Sequence, residues 1–397
     1  MPRKKIFTKC VAAVISVLMF VPHNCVLAAD QITTDSRTAT TLEVSGSTTD
    51  VRTSTVSGNT AFNSFSKFNV DTGNTVNLHL PNSTNNLINV VTGSQTNIDG
   101  ILNSYKDGAI GGNVYFLNPY GVVVGANGVV NVGGFNAVTP TADFMSKVFG
   151  SDGATFDASL TTILENNVPV DDSGLISIQG KVYALEGVDL QAGNVDVSGL
   201  VRAAKAYVPG VDYAVPVNST EALSADTVKI DGGKIMIVAS DKVALAGGQI
   251  DASGDNNDAI AAVAATATTP EVKAQAATAP GSVEISGETV ELAGGVISAK
   301  ASSGDSGAIF ISSDNATISG DTTAAGNVTF DLADALNIND TKKFTVSDGT
   351  LEVFDIDVDE LAELLGLDAE DFDELTELDI ESLLRQLADL DVLDSLK

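Results

Sequence analysis

Residues 68–140 read FNVDTGNTVNLHLPNSTNNLINVVTGSQTNIDGILNSYKDGAIGGNVYFLNPYGVVVGANGVVNVGGFNAVTP. Short runs of Val, Ile, Leu and Phe are separated every few residues by Gly, Asn and Asp. No part of this stretch spaces its apolar residues as a helix would. The pattern predicts many brief strands joined by tight corners. Such a chain buries itself by laying one coil of strands on the next, and it needs no catalytic pocket to do so.

The same pattern continues past residue 170, where a repeat becomes visible. Glu186–Gly199 (EGVDLQAGNVDVSG) aligns with Asp241–Gly254 (DKVALAGGQIDASG), and ETVELAGGVISA from Glu288 resembles both. The shared core, V-x-L-x-[AG]-G-x-[VI]-[DS], reads as strand, glycine corner, strand. A further strand precedes each copy, at Leu175 to Ile178, Lys234 to Val238 and Ser282 to Ile285. Three short strands per rung of roughly 20–25 residues is the arithmetic of a parallel β-helix. Alternate side chains then point inward and stack on the next rung. Gly and Asn suit the corners because they tolerate left-handed backbone angles. The expected fold is an all-β, right-handed parallel β-helix. The Thr/Ser-rich stretch 29–60 is expected to cap its first edge with antiparallel strands.

The flanks differ from this pattern. Arg3, Lys4, Lys5 and Lys9 precede an apolar run, Val11 to Val21, broken only by Ser16. The run is about ten residues long, too short for a permanent membrane span, and reads as a signal peptide over 1–28. Small residues at Val26-Leu27-Ala28 place cleavage after Ala28, with Ala29 as the alternative. Both cysteines, Cys10 and Cys25, fall in that segment, so the mature chain has neither a disulfide nor a thiolate site. Residues 29–150 are then the cap and first rungs. Residues 151–350 continue the coil, with loop insertions near 200–224 and 255–280. Residues 351–397 form an acidic, Leu-rich tail with leucines at three- and four-residue steps, expected to be helical. That tail carries 17 Asp or Glu against two basic residues, about half of the net charge of −31.

So acidic a chain is unsuited to nucleic acid or anionic membrane, both of which need clustered Lys and Arg. The one histidine outside the signal segment is His79, on the alternating strand around Asn77-Leu78-His79-Leu80, with its ring expected to point outward. Arg202 is the only arginine between residues 53 and 384, which leaves a β-helix polysaccharide lyase without its base. Asp355 to Asp359 suggests a calcium loop, but Glu360 stands where Gly is needed and Gly366 where Glu is needed. No cofactor, metal or catalytic site is expected, and the chain is read as no enzyme.

Several motifs carry a resemblance: Val91-Thr92-Gly93, Ile98-Asp99-Gly100-Ile101-Leu102, Gly112 to Val122 and Val130 to Phe135. In this order they resemble the secretion domain of filamentous haemagglutinin-type exoproteins, the secreted halves of bacterial two-partner secretion systems. The family's Asn-Pro-Asn-Gly motif corresponds here to Asn118-Pro119-Tyr120-Gly121, with Tyr in place of the second Asn. The resemblance implies that the signal peptide engages the inner-membrane export machinery only. Periplasmic domains of a dedicated outer-membrane β-barrel transporter then recognise the N-terminal domain. The protein ends outside a Gram-negative cell or on its surface. It implies a small adhesin or surface/matrix component with a host-cell or matrix ligand. The alternatives are a secretion module whose acidic tail recruits a partner, or a β-helix enzyme acting on polysaccharide.

Overall fold

The computed structural model describes residues 31–150, 153–207, 214–217, 229–255, 278–302, 304–339 and 341–355. The expected signal segment with Ala28 and Ala29, most of the two loop insertions, and the acidic tail beyond residue 355 lie outside the described residues.

Strands pair in parallel with the coil before and the coil after. On one face Ala61 lies opposite Leu87, Leu87 opposite Val114, and Val114 opposite Phe135. The column continues through Val188, Ile235, Val283, Ile309 and Val328. A second column runs through Val70, Ile98, Val124, Ile178, Val197, Leu245, Leu292 and Ile318. A third holds Val76, Leu102, Val130, Val182, Val201, Ile250, Ile297 and Ala324. All these side chains are buried in one continuous cluster. Three strand columns around one axis make the parallel β-helix that the alternation predicts. In the early coils the aromatic rings join the same interior: Phe68 packs edge-on against Phe65 and Phe116, with centroids 5.1 and 5.2 Å away.

The register corrects one reading of the repeat. Val243 and Leu245 do stack under Val290 and Leu292, as the aligned motif requires. Val188 and Leu190, however, stack on Ile235 and Ile237, while Val195 and Val197 meet Val243 and Leu245. The first copy is therefore displaced by one face. Strand, glycine corner, strand describes every corner of the coil, so the motif marks a corner without saying which one.

The corner glycines also follow a rule other than backbone sign. Gly180 does not have a positive φ, yet a Cβ there would collide with the backbone oxygens of Gly125 and Gly128 in the coil before. A Cβ on Gly281 would likewise meet the oxygen of Gly233. At these corners glycine is required for closeness of approach.

Rung length is uneven. Leu87 to Val114 is 27 residues, and Ile309 to Val328 is 19. Phe135 to Val188 is 53, because two helices intervene. Helix α1 spans Ala142–Val148 and α2 spans Gly153–Leu164, neither of which the sequence pattern anticipated. Thr141 caps α1 by accepting from the Phe144 amide, and Lys147 pairs with Asp143 one turn away. The helices fold back onto the outside of the coil. Phe144, Val148 and Ile163 bury Phe62, Ile88, Val90, Leu117 and Val138, which point away from the axis. Strand Asn86–Val91 is consequently buried at every position.

The N-terminal edge is closed by backbone pairing. Ile32–Thr34 runs antiparallel to the strand holding Phe65 and Phe68, and Thr40–Ser45 forms a hairpin with Thr48–Thr53. The second hairpin strand then pairs in parallel with Thr75–His79, so one strand belongs to both cap and coil. Outside the third face a polar row ties the coils together. Asn77 donates to Asp50 (3.1 Å), Asn103 to Asn77 (3.1 Å) and Asn131 to Asn103 (2.9 Å).

Phe116→Ala is expected to cost about 3–5 kcal/mol, because it empties the interior between Phe68 and Phe135. A urea-unfolding midpoint shift near zero would contradict the packing described.

Candidate functional site

The Asn118–Gly121 turn ends the strand Asn113–Leu117. Asn118 is fully buried. Its Nδ2 donates to the Ser94 carbonyl (2.9 Å) and to Thr96 Oγ1 (3.0 Å) in the preceding coil. Its Oδ1 accepts from the Tyr120 amide (2.9 Å), and its carbonyl accepts from the Gly121 amide (3.1 Å). Pro119 presets the first central position, and Tyr120 does not have a positive φ, so the turn has type I character. Gly121 has φ +100°, and a Cβ there would meet the Leu175 carbonyl of the next coil. Asn118 and Gly121 are thus held by their surroundings, and Pro119 by its own ring. The fourth, Tyr120, is 55% exposed. The turn closes through Asn118 alone and uses no side chain at position 120.

A groove of about 270 Å³ lies on the outer surface of the first face, beside the helices. It exists because two successive coils carry glycine at an outward position. Asn113, Gly134, Gly187 and Lys234 are aligned in register, and the two middle members have no side chain. The neighbouring outward row holds Tyr115, Asn136, Asp189 and Met236. Asn166 lines the groove from the end of α2. That asparagine has φ +58°. Its amide bonds to the Ile163 carbonyl (3.2 Å) and the Asn167 amide to the Thr162 carbonyl (3.0 Å), a helix-ending pair that suits Asn at the left-handed position.

Asp189 is the unusual residue of this groove. It is 6% exposed. One carboxylate oxygen accepts from Gln191 (2.9 Å) and the other, Oδ2, has no hydrogen-bond partner. Burial pushes its carboxyl up to about 6, assisted by the charge of Glu284 and opposed by the Gln191 hydrogen bond, the charge of Lys234 and, least, the nearby Asn166 side-chain amide. Burial, with the charge of Asp189 behind it, also raises the Tyr115 phenol.

His79 is half-buried on the third face, where its Nε2 lies 2.6 Å from Asp50 Oδ1 and its ring stacks on Tyr105 at 5.6 Å. The His79 hydrogen bond is the main reason the Asp50 carboxyl sits below the usual range, with burial opposing it and Asn77 assisting. The histidine is therefore part of the polar row described above. The structure does not bring it together with the Asn118–Gly121 turn. Ala28 and Ala29 lie outside the described residues. Sequence reasoning missed the groove, although paired glycines at Gly134 and Gly187 and the Asn166-Asn167 helix stop were the available signals.

The family model described as the TPS secretion domain matches residues 30–330, a span that includes both the turn and the groove. The chain belongs to this family. TPS denotes two-partner secretion, so the protein is a substrate of such a system. It is paired with an outer-membrane transporter and exported through the periplasm to the cell surface or beyond. The TPS family is a secretion domain of exoproteins and not an enzyme family. Among solved structures the chain is similar to the HMW1 secretion domain from Haemophilus influenzae. The two are 18% identical over 79% of this chain and 97% of that one, with a TM-score of 0.35. It is also similar to the filamentous hemagglutinin secretion domain, at 15% identity over 81% and 99%, with a TM-score of 0.40. No curated protein sequence matches it.

The Asp189 carboxyl gives this TPS domain a pH signature. Its folded value near 6 exceeds the unfolded value of 3.8, so the folded state holds the extra proton between them. Stability from this group is present below about pH 4, falls as pH rises through about 6, and is then constant, a loss of up to about 3 kcal/mol. Asp189→Asn is expected to flatten that part of the urea-unfolding profile and to be the more stable form at neutral pH. An unchanged slope in the variant would show that Asp189 is not the group responsible.

Proposed function

We propose that this TPS passenger acts outside the cell as a small adhesin or surface/matrix component, and that the Asn118–Gly121 turn is part of what its transporter reads. The observation that carries the second half is the division of labour within the turn. Asn118, Pro119 and Gly121 shape it, and the Tyr120 ring stands free on a rigid base. An aromatic ring held on a fixed turn loses little freedom on binding, which suits a recognition contact. The first half is supported by the coil itself, a long stiff surface with aliphatic residues inside and polar ones outside.

Co-expression with the cognate transporter tests the turn. Tyr120→Ala is expected to lower the secreted fraction severalfold while leaving the unfolding midpoint unchanged. Asn118→Ala should lower both, because it strands the Thr96 hydroxyl and the Tyr120 amide at about 1–3 kcal/mol. Normal export of a correctly folded Tyr120→Ala protein would remove the recognition role.

A second reading rests on the acidic tail, where about half of the net charge is concentrated. In that case the coil is a secretion module and the tail recruits the partner. Deleting residues 356–397 keeps the strand Leu351–Asp355 in place. Cell or matrix binding that survives the deletion assigns adhesion to the coil, and binding that vanishes assigns it to the tail.

A further inference from the structure

The groove beside α2 has three properties that together specify a ligand. The first is an unsatisfied acceptor. Asp189 Oδ2 is buried with no hydrogen-bond partner, and leaving a charged acceptor in that condition is costly. The second is shape. Gly134 and Gly187 leave an open volume of about 270 Å³ on the outer surface of the first face. The third is charge. Asp189 and Glu186 line the groove and Glu284 is aligned on the coil beyond, against a single cation, Lys234. Lys234 is itself paired with Glu284 at 3.1 Å, and it is well exposed.

An anion would be repelled from this site. A neutral hydroxyl would donate to Oδ2 but leave the carboxylate charge uncompensated. A compact ammonium carries three donors on a single atom and spans less of a groove of this size. A guanidinium presents several donors in one plane, and the residues lining the groove supply several acceptors: Asp189, Glu186 and the side-chain oxygen of Asn136. We propose that this groove is a binding site for a single guanidinium group, with Asp189 as its anchoring carboxylate. The group could reach the groove as the arginine side chain of another protein or as a free guanidinium compound. The site sits on the coil, away from the Asn118–Gly121 turn, and does not depend on the recognition role given to that turn.

The charged and titratable groups that face Asp189 are Tyr115 on the strand Asn113–Leu117, Lys234 on Lys234–Leu245, Glu284 on Ser282–Ser298 and Glu186 on its own strand. Of these, the Tyr115 phenol is held neutral by burial. With Asp189 titrating near 6, ligand affinity should rise across that range and level off above it.

The test is titration calorimetry on the purified secreted protein with Nα-acetyl-arginine amide as the probe. Methyl glucoside, Nα-acetyl-lysine amide and a short arginine-containing peptide serve as comparison arms. The expected result is saturable 1:1 binding of the arginine amide. It should weaken about tenfold or more in Asp189→Asn, and about tenfold from near pH 7.5 to near pH 5. Lys234→Gln should strengthen it severalfold by removing the competing cation, and because Lys234 is exposed this variant keeps the fold. A peptide that binds more tightly than the amide identifies a protein side chain as the source. Equal affinity identifies a free guanidinium compound. The proposal is overturned by the absence of saturation with the arginine amide, by undiminished binding in a folded Asp189→Asn protein, or by methyl glucoside or the lysine amide binding better than the arginine amide.

Discussion

In a parallel coil every backbone amide and carbonyl along a strand looks for its partner one turn away. Satisfying those groups forces each coil to follow the path of the last. The rest of the molecule follows from that constraint. Inward positions align into columns, which is why Val, Ile, Leu and Phe share one continuous interior. Corners align as well, and there the backbones come so near that Gly180 and Gly281 have no room for a side chain. A coil with a larger residue at such a corner would have to leave the path, and its neighbours would lose their pairing.

The constraint is stricter along the axis than around it. Coils vary from 19 residues to more than 50 because a corner can open into an excursion, provided that the strand re-enters in register. The longest described excursion forms α1 and α2, which return to the outside of the coil and cover residues that would otherwise face water. This covering creates a second interior. Its edge is polar, and it is there that Asp189 is caught between the coil and the end of α2, buried but incompletely satisfied. The outward polar row on the third face has an easier position. Along it Asn77, Asn103 and Asn131 each donate to the coil before, ending on Asp50, and only the Asn131 oxygen at the far end is left without a partner.

The Asn118–Gly121 turn joins these two themes. Its asparagine reaches to the preceding coil and its glycine is held by the next, so the turn is shaped by three coils at once. The turn makes no demand on the side chain at position 120, because the Asn118 side chain alone holds the Tyr120 amide. The same arrangement leaves the ring at position 120 outside, on the part of the turn that packing does not use.

Alternation of apolar and polar residues with regular Gly and Asn corners was enough, by itself, to determine the coil and its stacked aliphatic columns, while the family was legible separately, in motifs such as Gly112 to Val122 and Val130 to Phe135. The coil and its columns depend on a period of two along the strand and on a corner chemistry repeated many times, and both are local. Register was not legible, because all three faces use the same strand and corner pattern. Val188 could be aligned with Val243 in sequence, although it stacks on Ile235 in space. The helices over the outer face, the burial of Asp189 and the groove beside it were decided only by tertiary structure. Each depends on which distant segment folds back over an outward position, and an outward Asp in a strand reads the same whether water or a helix end lies above it.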